Sequence, residues 1–172
     1  MIKLISSTLI LCAVLSACVT ATVNEHSVCD TVSLGTIPGS PIEGISLPPV
    51  SFSTQEDFSG TMQKINDITS SYSVQVTELV FNGNPSLQWI TQVTLMVQTA
   101  DMPNALLATY NQSADSNDGN ITMQVVMDSN TMRAYLSEPM TLTFTVTGTN
   151  IPTTTTTLST SLCIAASASV TK

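Results

Sequence analysis

Acid–base and nucleophilic catalysis usually starts from an imidazole, and this chain contains one histidine, His26. It lies in an aperiodic N-terminal stretch, a poor place to hold a geometry to within fractions of an ångström, and reads as a solvated linker residue. Paired carboxylates are the other route, since two of them flanking a glycosidic bond can cleave it. Of the twelve acidic residues, Glu56, Asp57 and Asp67 fit helix-capping and solvated positions. Glu78 stands inside a run of alternating apolar residues, where a β-bulge would turn its carboxylate outward. Trp89, Tyr110 and Tyr135 offer at most a small sugar-stacking platform.

Asp115-Ser116-Asn117-Asp118-Gly119-Asn120 has closely spaced oxygens of the kind calcium prefers, with Asp115, Asn117 and Asp118 as candidate ligands. It lacks the full spacing of a helix–loop–helix calcium site and its closing glutamate. The same residue types are those a hairpin turn requires, so the plain turn is the expectation and calcium the alternative. No other cofactor is expected.

The charge balance excludes a class of partners. Formal net charge is −8, with four basic residues, Lys3, Lys64, Arg133 and Lys172. Nucleic acid binding needs a basic stripe that releases phosphate counterions, and none can be built here. Attraction to anionic lipid head groups fails for the same reason, so a membrane could hold this chain only through a greasy anchor.

Such an anchor is suggested at the N-terminus. Lys3 precedes an apolar run from Leu4 to Leu15, shorter than the roughly 20 residues a spanning helix needs, followed by small residues. This is the layout of a removable signal peptide. Leu15-Ser16-Ala17-Cys18 resembles the lipobox of bacterial lipoproteins. The resemblance covers the targeting segment alone. It implies cleavage before Cys18, a diacylglycerol on the Cys18 thiol and an acylated new amino terminus. Three chains, at about 0.8 kcal/mol per buried methylene, exceed what stable anchoring needs. Val19 stands where that family's inner-membrane retention signal carries Asp, which favours the outer membrane. The alternative is an ordinary secretory signal cut after Ala17 or Ala21.

Export leaves Cys29 and Cys163 in an oxidising compartment, where two thiols usually close. From Leu158 to Val170 the even positions are mostly apolar and the odd ones mostly Ser, which places Cys163 on the polar face of a strand. A cysteine there is poor core filler and a good staple, so a Cys29–Cys163 disulfide is expected. A metal site or a nucleophile would require further partners.

The elements that would position these residues are mostly strands. Residues 1–17 are expected to be signal peptide, 18–47 a lipidated cysteine and flexible tether, and 48–172 the folded domain. Leu47-Pro48-Pro49-Val50 reads as entry to an edge strand, where proline is tolerated. Thr54 is the expected cap of one short helix, with Phe58, Met62, Ile65 and Ile68 near helical spacing. Strands follow over Ser73–Phe81, Trp89–Thr99, Leu106–Tyr110, Ile121–Met127, Met140–Thr147 and Leu158–Val170, with Asp128–Leu136 irregular or one helical turn. The clearest strand has Met140, Leu142, Phe144 and Val146 on one face and Thr141, Thr143, Thr145 and Thr147 on the other.

About six or seven antiparallel strands predict a mainly β fold, an antiparallel β-sandwich of immunoglobulin-like or jelly-roll-like type with one short helix. The order resembles small β-sandwich lipoproteins of unknown function from bacterial genomes, and no functional residue is carried over from that likeness. Binding by sandwich domains usually falls on loops at one end, which points to Asn82, Asn84, Asn111 and Asn120. The expectation is a non-enzymatic envelope protein with a structural or binding role toward an envelope protein or glycan. A calcium- or carbohydrate-binding module is the alternative.

Overall fold

The computed structural model describes residues 20–68, 72–112 and 120–171. Two antiparallel sheets pack face to face. The first has four strands: β1 (Thr20–Ile37), β9 (Thr156–Thr171), β3 (Ser73–Asn84) and β6 (Asn120–Thr122), in that spatial order. The second has five: β2 (Leu47–Glu56), β8 (Met140–Gly148), β4 (Ile90–Thr99), β5 (Ala105–Asn111) and β7 (Gln124–Val125). The expected sandwich is the architecture found.

The core is the sum of the alternating rows. Leu142, Phe144 and Val146 of β8 and Val93, Leu95 and Val97 of β4 are buried and face Val74, Leu79 and Phe81 of β3 and Leu158 and Leu162 of β9. The Phe81 and Phe144 rings meet across the two sheets with centroids 6.0 Å apart. Opposite parities of each strand carry hydroxyls outward. Ser51, Thr145, Thr94 and Thr109 line up across β2, β8, β4 and β5, with Ser51 Oγ and Thr145 Oγ1 2.9 Å apart. A Thr row on a pleated solvent face needs no further explanation than strand propensity.

Several expectations are corrected. The segment read as a flexible tether contains β1, which pairs with β9 from Thr20–Thr171 to Ile37–Thr156. Its period is weak because the strand is outermost in its sheet: Val28, Asp30, Thr31 and Ser33 are exposed, Val32 and Leu34 are half-buried, and only Ile37 at its end is buried. Residues 120–127 do not form one strand. Ile121 pairs with Phe81 in the first sheet, and three residues later Gln124 pairs with Thr109 in the second, so the chain crosses the sandwich at Met123. These differences make nine strands among the described residues.

The first helix begins later than Thr54 suggests. Thr54 belongs to β2, its hydroxyl donating to Glu56 Oε1 at 3.2 Å, and Asp57 Oδ1 accepts from the Ser59 N–H at 2.9 Å to open α1 (Ser59–Ile68). A second helix, α2 (Ser129–Leu136), occupies the stretch expected to be irregular or a single helical turn. Asp128 caps it, accepting from the N–H groups of Asn130 and Thr131 at 3.0 Å each and from the Thr131 hydroxyl at 2.6 Å. The helix buries Met132, Tyr135 and Leu136. Arg133 on its other side lies 3.9 Å from the centre of the Tyr72 ring and donates to Asn66 Oδ1, tying α2 to α1.

The cap yields a pH prediction. The Thr131 hydroxyl, and then its N–H, hold the Asp128 carboxyl below its ordinary value. A depressed carboxylate stabilises the fold above its unfolded pKa, and that contribution fades as pH falls through the folded one. Asp128→Ala is expected to lower the melting temperature at neutral pH and to flatten its decline in acid. Asp128→Asn, which can still cap, should retain most of the neutral-pH stability. Thermal melts of the three proteins at neutral and acid pH check this.

Candidate functional site

Strand register gathers the expected binding residues at one end of the sandwich. Asn82 of β3 and Asn120 of β6 are direct cross-strand partners, and Asn84 ends β3 opposite Thr157. Asn111 ends β5 in the facing sheet, opposite Gln92. Ile37 pairs with Thr156, and Leu47 with Gly148, so the turns 38–46, 85–89 and 149–155 open at this same end. Asn84, Asn111 and Asn120 are exposed, whereas Asn82 is half-buried, with its Nδ2 3.5 Å from both the Val80 carbonyl and Ser161 Oγ. The calcium candidates Asp115, Asn117 and Asp118 lie outside the described residues, as does Cys18.

Backbone contacts lock these turns together. Ser40 N–H donates to the Pro152 carbonyl at 3.0 Å, Ile151 N–H to Ile45 at 3.2 Å, and Thr149 N–H to Trp89 at 2.7 Å. A Cβ at Gly39 would overlap the Thr153 carbonyl, so only glycine lets these two segments approach so closely. They enclose an open depression of about 560 Å³ lined by Glu43, Gly44, Asn150, Ile151, Pro152 and Thr153. Ile42 beside it is 63% exposed. One carboxylate, one amide and one hydroxyl around apolar side chains suit contact with a protein surface. Sequence reasoning missed this site because Pro38-Gly39-Ser40-Pro41 and Asn150-Ile151-Pro152 carry only the breaker signal of any turn.

The carboxylates considered for glycoside chemistry are spread over β2, the cap and body of α1, and β3. Glu78 follows a register shift after Val76 in the β3–β9 ladder and is exposed, as the bulge reading requires. Glu56 ends β2, half-buried; burial, and secondarily the charge of Asp30, push its carboxyl upward against the Thr54 hydrogen bond. Asp57 caps α1, and Asp67 is exposed on it. The aromatic platform is corrected: Trp89 and Tyr135 are core residues, their polar tips donating inward to the carbonyls of Ser86 and Pro103 at 2.9 and 2.6 Å. Among the described residues, no group of three or more His, Cys, Asp or Glu is placed to hold a metal ion, and no helix is long and apolar enough to cross a membrane.

Cys29 and Cys163 form the expected disulfide between neighbouring strands, with Cα atoms 4.0 Å apart and a sequence separation of 134. Cys163 is buried, yet it stands apart from the main core, on the parity opposite Leu162 and Ile164. The bond covers the outer face of the first sheet, whose neighbours are Thr31, Ser161 and Glu78.

Compared with protein-family models, with curated proteins and with solved structures, the chain matches none of them. Fold and staple define its class: an antiparallel β-sandwich in which the Cys29–Cys163 disulfide joins the first and last described strands.

Proposed function

We propose that the protein is a non-enzymatic, lipid-anchored component of a bacterial cell envelope, whose sandwich binds another envelope component. The observation that carries this reading is Leu15-Ser16-Ala17-Cys18 at the end of a short apolar run, a pattern that suits lipidation of Cys18. The Cys29–Cys163 disulfide supports it, because such bonds persist in the oxidising compartments that exported chains reach. Asp57 is engaged in capping α1, and Asp67 and Glu78 are exposed on α1 and β3, an arrangement that favours binding over hydrolysis. Val19 after Cys18 favours the outer membrane as the address.

Membrane fractionation with intact-mass measurement tests the reading. The native product should sediment with membranes and carry acyl mass on Cys18, and Cys18→Ser should shift it to the soluble or unprocessed fraction. An unmodified thiol at Cys18 in the native product would sink the proposal.

A further inference from the structure

Among the described residues, β1 is outermost in its sheet, and no backbone partner covers its other side. The 4.0 Å between Cys29 and Cys163 Cα atoms marks a non-hydrogen-bonded pair, for which about 4.5 Å is usual against about 5.5 Å for a bonded one. The N–H and C=O of Cys29 therefore point away from β9. Those of Thr31 and Ser33 do the same, up to the register shift before Gly35. The Thr31 N–H agrees with this geometry, because it is taken by the carboxylate of its neighbour Asp30 at 2.7 Å rather than by a strand.

Edge strands are ordinarily protected by lysine, proline, brevity, bulges or inward charges, and β1 has register shifts at Val23/His26 and Ser33/Gly35, which leave the stretch from Ser27 to Ser33 regular, with Asp30 as its charge. β1 is 18 residues long and contains neither Lys, Arg nor Pro. Edges on the opposite flank are short, with three residues in β6 and two in β7. β2, the second sheet's edge beside β1, opens with Pro48 and Pro49, which have no N–H to offer. Between β1 and β2 the sandwich is incompletely closed: Val28 is 37% exposed, and Val32 and Phe52 are half-buried. Two carboxylates lie on this flank, Asp30 exposed on β1 and Glu56 half-buried at the end of the neighbouring β2.

We propose that the free edge of β1 accepts an extended, lysine- or arginine-bearing segment of a partner protein as an added strand, its cation lying beside Asp30 and Glu56. An incoming carbonyl replaces the Asp30 carboxylate at the Thr31 N–H, which frees that carboxylate to meet the cation. Apolar side chains on the same face of the segment close over Val28, Val32 and Phe52. A second copy of this chain is the poorer occupant. Neither β1 nor β2 contains Lys or Arg, so a second copy would bring further carboxylates to this edge and no fixed cation to meet Asp30 and Glu56.

The inference rests on the binding role proposed above, and its test is independent of Cys18. The full chain is titrated with a fluorescent twelve-residue peptide of alternating valine and lysine. Controls are the same peptide N-methylated at two adjacent central residues, so that neither of its edges can pair, and a valine–glutamate peptide. The lysine peptide should bind and slow hydrogen exchange at the Cys29, Thr31 and Ser33 amides, and both controls should lose at least about tenfold in affinity. Asp30→Asn with Glu56→Gln should weaken the lysine peptide about tenfold. Absence of binding, or binding indifferent to N-methylation or to the double variant, would overturn the proposal. So would self-association of the double variant without peptide binding, which would make Asp30 an edge guard only. Failure of Cys18 lipidation would change the address of the protein and leave these outcomes as they stand.

Discussion

Replacing Phe144 by Ala should lower the free energy of unfolding by about 3–5 kcal/mol, among the largest effects any single core truncation here can have. Phe144 is fully buried at the centre of β8, paired with Phe52 of β2 on one side and Leu95 of β4 on the other. Its ring also reaches across the sandwich to Phe81. Removal therefore costs the transfer energy of the ring and leaves a cavity whose walls are two hydrogen-bonded sheets, which cannot collapse inward without breaking register. Thr143→Ala, one residue away on the solvent face, loses the hydroxyl contact to Ser53 at 3.0 Å and should cost less than about 1 kcal/mol. Urea unfolding of the three proteins reads the contrast directly. Equal losses at the two positions would show that the core is not where the strand parities place it.

Removing the disulfide should weaken the fold by about 2–5 kcal/mol, through a different physical route. The bond joins strands near the two ends of the domain, with a sequence separation of 134 between the cysteines. In the chain-entropy model a closure of that length restricts the unfolded ensemble by about 5 kcal/mol. The native state has a specific reason to depend on it. Among the described residues β1 is held on one side only, and its exposed Val28, Asp30, Thr31 and Ser33 contribute little burial. Cys29→Ala with Cys163→Ala, or reductant added to the native protein, should shift the urea midpoint downward, with β1 amides the first to lose protection against hydrogen exchange. Coincident midpoints under oxidising and reducing conditions would refute the claim. The double variant serves better than a single one, because a lone buried thiol would introduce its own chemistry.

Legibility in the sequence followed burial. Where a strand has one face in the core and one in water, alternation is obligatory, and Met140 to Val146 shows it residue by residue. The same logic located Cys163 on the outward parity and so identified the staple, and it anticipated the bulge at Glu78. Where a segment is mostly exposed, its composition is only weakly constrained, and in β1 just Ile37 is buried, with Leu34 packed partly against the core. β1 was therefore indistinguishable from a tether, although Cys29 within it already had to reach Cys163. The start of α1 was misplaced because Thr54 and Asp57 are equally good caps in isolation; pairing of Thr54 with Leu142 in the β2–β8 ladder decides between them.

The residues by themselves determined the class of the fold, the faces of its inner strands and the pairing of Cys29 with Cys163, because these follow from short-range periodicity and from the chemistry of thiols. Tertiary structure alone decided which strands became edges, where the chain crosses between sheets at Met123, and which turns share an end with Asn82 and Asn120. Those are questions of long-range register, settled by the sum of many weak contacts between residues far apart in the chain, and no local pattern encodes such a sum. The open flank between β1 and β2, with Asp30 and Glu56 on it, belongs to this second kind: two carboxylates 26 residues apart in sequence came to one flank only once both sheets had closed.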